Sequence, residues 1–285
     1  MTNPPILLRW PRSPCDYARP VIDAFFLPRT GVDTAGHTRW TATAHATGPW
    51  DSIHMHAGPP TALLGRCILA TPGLPRPGRL GRLAVEILGP VPVGDVDIVT
   101  RVVRPGRRIA LVEADLRDSN GSVLMAARGW VLRRRYSAPD LPRTPRTPPP
   151  PSGSTAPRPP GFGPGYLDAI RWESVEGSFA SPGPATVWAR PRVDLVAGVP
   201  ITPLESLLSV ADSGNGISAV ADPREVLFVN TDLTVHLWRD PVSVRVSMAA
   251  VTEIGPTGSG VAHARLGDEE GDVGRSAQML FIDTR

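Results

Sequence analysis

The feature that most constrains this chain is that it repeats itself. Gly121-Ser122-Val123-Leu124-Met125-Ala126-Ala127 lies 150 residues before Gly271-Asp272-Val273-Gly274-Arg275-Ser276-Ala277, and Val85-Glu86-Ile87-Leu88 matches Val235-His236-Leu237-Trp238 at the same offset. Identity is low, but the register holds over about fifty residues, and an internal duplication is the simplest reading. A length of 285 residues suits two domains of roughly 100–150 residues each. Between the copies, Pro139 to Gly165 holds 11 prolines in 27 residues. No helix or sheet is expected there; the stretch reads as an extended, partly polyproline linker, or else as a ligand for a Pro-binding module. The expected organisation is a domain at 1–138, a linker at 139–165 and a domain at 166–285.

Each half parses as one helix followed by several strands. Pro59 and Pro60 stand where a helix starts, Ala62, Leu63, Leu64, Cys67 and Ile68 continue it, and Pro72 ends it. Strands are expected at about 83–88, 95–104, 108–117 and 123–133, with a hairpin turn at Asp118-Ser119-Asn120-Gly121. In the second half, Thr202-Pro203-Leu204-Glu205 is a capping box with Pro at the first helical position. Leu204, Leu207, Leu208 and Ala211 follow helical spacing, and 212–216 closes the helix. Strands are expected at about 226–238, 242–250, 260–266 and 273–282. The class is α+β: a central helix against a curved antiparallel sheet, duplicated.

Composition narrows the function. No uncharged apolar run approaches the ~18 residues of a membrane span, and Met1–Arg12 shows no secretory signal. All 30 basic residues are Arg, which lifts the pI to 9.4 at a net charge of only +3. They are spread along the chain among 27 acids, which speaks against a nucleic-acid binder. The Arg residues of 104–108 and 133–135 read as solvated strand ends or as phosphate contacts. Cys15 and Cys67 lack metal-ligand spacing and read as reduced thiols in a cytoplasmic protein. His54 and His56, with no third ligand in view, are a weak metal signal; neither metal nor cofactor is expected. Walker-type, Rossmann and Gly-x-Ser-x-Gly motifs are all missing.

The candidate chemistry lies in polar residues near helix ends. At 100° per residue, Asp212 falls roughly 80° from Leu204 and one turn beyond Leu208, at the border of the buried stripe. A carboxylate there can act as a general base or hold a water, or it can simply solvate the helix end. Gln278 shares a strand face with Ser276 and Leu280; its amide holds a water or an oxyanion, or faces solvent. Alternation puts Asn230 on one face with Asp232, Thr234 and His236. Gly58, at a helix start, leaves backbone N–H groups open to an oxyanion or permits a tight helix entry.

These motifs resemble acyl-CoA thioesterases of the thioesterase II type. The likeness is carried by Gly48-Pro49-Trp50-Asp51, by His56-Ala57-Gly58-Pro59-Pro60-Thr61-Ala62-Leu63-Leu64, by Phe228-Val229-Asn230-Thr231-Asp232 and by Gly274-Arg275-Ser276-Ala277-Gln278. The resemblance implies a double-hotdog fold and hydrolysis of fatty acyl-CoA to free acid and CoA. It assigns an Asp, a Gln and a Thr to the attacking water; these fall on Asp212, Gln278 and Asn230, the last a departure from Thr. His56 and Gly58 would contact the substrate. The first-half counterparts, near Ile68, Leu80 and Arg128, cannot do this work, so one active site per chain is expected. A homo-oligomer is common in such proteins. The alternative is a non-catalytic acyl-CoA or lipid-binding protein on the same fold, and a hydratase using His56 or His236 is a third reading.

Overall fold

The computed structural model describes residues 23–29, 36–135, 147, 149–156, 158–159, 161–179, 181–222 and 225–284. The first half contributes β1 (Ala24–Pro28), β2 (His37–Ala42), α1 (Gly58–Ala70), β3 (Gly78–Ile87), β4 (Asp95–Arg104), β5 (Ile109–Arg117) and β6 (Val123–Arg133). Then come β7 (Ser154–Ala156), α2 (Tyr166–Ala169), β8 (Ile170–Ser178), β9 (Ser181–Pro191), β10 (Asp194–Val196), α3 (Pro203–Ala211) and α4 (Gly214–Ile217). The chain ends with β11 (Val226–Asn230), β12 (Asp232–Leu237), β13 (Val246–Ile254), β14 (Ser259–Asp268) and β15 (Gly271–Thr284).

The repeat becomes a sheet. The 150-residue offset carries β3 onto β12, β4 onto β13, β5 onto β14 and β6 onto β15. The strands join in the order β10-β1-β2-β4-β5-β6-β3-β12-β15-β14-β13-β9-β8-β7, with β11 also on β15. The halves meet where β3 pairs antiparallel with β12, and there Ala84 lies opposite Thr234. Thr234 is the residue the offset assigns to Ala84, so the two copies are related by an approximate two-fold through this pair. A two-fold contact places the same patch of each copy at the seam. Leu83 and Val85 face inward on one side, Leu233 and Val235 on the other, all at most 1% exposed. Burial of each such side chain is worth roughly 1.5–3 kcal/mol. Arg79 Nη2 donates to Leu237 O at 2.9 Å and Arg134 Nε to Asp240 Oδ2 at 2.9 Å, tying the seam at its end.

The helices lie on the inner side and pack against each other in opposite senses. Gly58 of α1 meets the backbone of Ser209 in α3, while Arg66 Nη1 donates to Glu205 Oε1 at 2.6 Å. A Cβ on Gly58 would fall 2.1 Å from Ser209 O, so only glycine allows this approach. Thr202 and Glu205 form the expected capping box on α3. The antiparallel pair therefore sets the start of α1 beside the end of α3, and positions the site.

Several sequence expectations are corrected. The span 226–238 is not one strand. Asn230 pairs with Leu280 in one register and Thr234 with Ala277 in the next, a one-residue slip at Thr231. A one-residue slip moves side chains to the other face. Asn230 thus turns inward with Leu280, while Asp232, Thr234 and His236 stay outside. The strand expected at 242–250 begins only at Val246. Upstream, Val242 N donates to Asp268 Oδ2 (2.9 Å), Val244 O accepts from Ser206 Oγ (2.6 Å) and Arg245 N donates to Ser243 Oγ (3.1 Å). Side chains occupy the groups a neighbouring strand would need. α4 adds a further helical turn where 212–216 was expected to close α3. Strands also precede each helix, and the Pro-rich stretch does contain sheet, β7 on β8. Cys67 is buried and free; Cys15 lies outside the described residues. Among the described residues, no helix is long and apolar enough to cross a membrane.

Candidate active site

At the junction of α1 and α3 lies a cavity of about 750 Å³. His56, Asp212 and Asn230 line it, with Trp50, Leu88, Pro159, Phe162, Phe179 and Phe228 among its apolar walls. Asp212 is the residue after α3, where the last turn leaves carbonyls unsatisfied. Its side chain is only 4% exposed. Oδ1 accepts from Asn230 Nδ2 at 2.7 Å and from Gln278 Nε2 at 3.0 Å. Gln278 reaches it from β15, also donating to Asp212 O at 3.0 Å and accepting from Asn215 N at 3.2 Å through Oε1. These bonds fix which way the carboxyl group faces.

Asp212 Oδ2 faces His56 Nδ1 at 3.2 Å. That nitrogen also accepts from Gly58 N at 3.0 Å. A nitrogen accepting an N–H carries a lone pair, so neutral His56 holds its proton on Nε2. A lone pair facing a carboxylate oxygen is repulsive, which disfavours the ionised form of Asp212. Burial works the same way. It raises Asp212 from 3.8 to about 7, against the bonds from Asn230 and Gln278, which lower it. It drives His56 down to about 3. Burial penalises the charged form of each group, so both shift toward neutral.

Tyr166 completes the arrangement. Its ring stacks on His56 with centroids 3.7 Å apart and planes 10° apart. Its hydroxyl donates to Ser209 O at 2.9 Å and lies 2.8 Å from Ser213 Oγ. The imidazole plane is thereby held between Tyr166 and the helix junction. Nothing in the spacing of Tyr166 pointed to the site; it arrives with the end of the Pro-rich segment.

The structure thus brings Asp212, Gln278, Asn230 and His56 together. Gly58 serves packing instead. Its N–H is taken by His56 and its missing side chain admits Ser209, so it is not a free donor to substrate. His54 pairs with Asp51, Nδ1 to Oδ2 at 2.7 Å, while His56 faces Asp212. His236 is exposed on the outer face. Of the first-half counterparts, Ile68 and Leu80 are core residues and Arg128 pairs with Glu113.

Residues 46–132 match the family described as acyl-CoA thioesterase N-terminal domain, and residues 140–282 its C-terminal domain. Solved structures share the fold. One is the acyl-CoA thioesterase II of Mycobacterium marinum, 12% identical with a TM-score of 0.63, covering 88% of this chain and 93% of that one. Another is the tesB protein of Mycobacterium avium subs paratuberculosis, 15% identical at TM-score 0.63 over 88% and 94%. A hot dog fold protein of unknown function from Alicyclobacillus acidocaldarius reaches 0.67 at 16% identity, over 89% and 95%. No curated protein sequence matches the chain. The double-hotdog α+β class is the one expected.

Proposed function

The chain belongs to the acyl-CoA thioesterase family and is a thioester hydrolase, and on that premise we propose that it cleaves fatty acyl-CoA by attack of a water held by Asp212. The observation that carries this is a buried carboxyl whose one oxygen is fixed by two amides beside an apolar cavity. With its proton affinity raised to about 7, Asp212 is poised to exchange a proton near neutral pH, where a general base works best.

In the first step the water oxygen bonds to the thioester carbon while Asp212 takes one of its protons. The carbonyl becomes an oxyanion, to which the Nε2–H of His56 is the available donor. As the oxyanion collapses, the carbon–sulfur bond breaks and the proton on Asp212 passes to the leaving thiolate. Free acid and CoA result, and Asp212 is again ionised. Gln278 and Asn230 hold the carboxyl and do not themselves exchange protons. In this reading the domain at 166–285 carries the base and the domain at 1–138 supplies His56 and a wall. The test is thiol release from a panel of acyl-CoAs, short to long, with wild type beside Asp212→Asn. Turnover by wild type alone supports the proposal; equal turnover by both removes Asp212 as the base.

A further inference from the structure

Pro159 and Phe162, described residues of the Pro-rich segment, line the cavity, and the described chain is anchored on both sides of them. Upstream, Trp188 Nε1 donates to Pro151 O at 2.9 Å and β7 pairs with β8. Downstream, Tyr166 N donates to Thr47 O at 2.9 Å. Gly165, at φ 138°, has no room for a side chain, since a Cβ would lie 2.5 Å from Thr47 O. Arg158 pairs with Asp168 across the same stretch. Between these anchors, Pro159 is buried and Phe162 lines the cavity. The Phe162 ring meets Trp50 edge to face, with centroids 5.5 Å apart and planes at 82°. Such edge-to-face pairs are favourable, and this one sets Phe162 against the half-exposed Trp50 at the cavity wall.

We infer that Phe162 limits the length of acyl chain the cavity accepts. This rests on the thioesterase reading above. The thioester carbon must sit at Asp212, and the surfaces beyond it toward Pro159, Phe162, Leu167 and Phe179 are carbon. The lining is mostly apolar, which suits an acyl chain better than the phosphate-bearing end of the substrate. The occupant of that space is a linear acyl chain whose end abuts the Phe162–Trp50 pair.

The experiment measures kcat/KM for straight-chain acyl-CoAs of four to sixteen carbons with wild type, Phe162→Ala and Phe162→Trp. One methylene in an apolar pocket changes discrimination by about 10-fold or more. Phe162→Ala is expected to raise the long-to-short ratio by at least ~10-fold. Phe162→Trp is expected to lower it. The opposite responses distinguish a wall from a loss of folding. Equal loss at every chain length, or an unmoved ratio, overturns the assignment. Absence of turnover by wild type across the panel overturns the thioesterase reading instead, and the inference with it.

Discussion

Asp212 and His56 come from opposite halves of the chain and face each other at 3.2 Å, Oδ2 to Nδ1. The pair exists because α3 ends where α1 begins. Its chemistry is set by burial rather than by any neighbouring fixed charge, and that makes its behaviour with pH predictable.

Hydrolysis is expected to rise with pH through about 7, as Asp212 loses its proton. His56, held down to about 3 by burial, contributes no second step near neutrality. A pH profile of kcat that falls as pH rises past 7 would contradict this order of ionisation.

Asp212→Asn is expected to lower kcat by about 10²–10⁴-fold and to stabilise the fold in alkali. The carboxyl binds its proton more tightly folded (about 7) than at its ordinary 3.8. Between those values the folded state holds more protons, so stability falls as pH rises through the window. At ~1.4 kcal/mol per unit, the liability is a few kcal/mol at most. Asparagine keeps an oxygen for Asn230 and Gln278 and offers an N–H to His56. Melting temperatures at pH 5 and pH 8 check this: the variant's advantage should appear at pH 8.

Asn230→Thr shortens the side chain and breaks its bond to Asp212 Oδ1. That bond lowers the Asp212 pKa, so the midpoint of the pH–rate profile should move to higher pH. An unmoved midpoint would mean that Asn230 does not act on the carboxyl.

Gly58→Ala should destabilise the chain by about 1–3 kcal/mol, the usual range for overpacking, because the new methyl meets the Ser209 carbonyl. Urea unfolding measures it. Gly73→Ala is a poor control because φ there is 77°; Gly163→Ala, with open space around it, should cost far less.

Asp268→Asn should cost about 3–5 kcal/mol and leave the pH–rate midpoint alone. Asp268 is buried and receives Arg239 through both oxygens, at 2.5 and 2.8 Å, besides the backbone N–H groups of Val242 and Glu270. Burial opposes its ionisation, but these donors hold its pKa below the ordinary value. Its contribution is therefore present above pH 4 and lost as pH falls below that. Acid unfolding of wild type and variant should converge there.

Much of this architecture is legible in the sequence where local rules act alone. The capping box at Thr202, the prolines at the start of α1 and the strands of β4 to β6 follow from neighbours along the chain. The repeat offset then transfers most of them to the second half. What local rules miss is decided by partners elsewhere. Val242 and Val244 alternate like a strand, but Asp268 and Ser206 take their backbone groups. Alternation puts Asn230 on one face with Asp232, Thr234 and His236, but the slip at Thr231 turns it inward, away from them. Asp212 and Gln278 stand out as polar residues at apolar borders. Their meeting with His56 depends on the sense in which two distant helices cross, and no spacing encodes that.

The seam through Ala84 and Thr234 has a consequence for how the enzyme tolerates dilution. Two separate copies of such a unit would share a site only while bound to each other, and would lose it as their concentration fell. Here the peptide between the halves makes that encounter intramolecular, at an effective concentration set by tether length. Specific activity should therefore stay constant down to nanomolar enzyme.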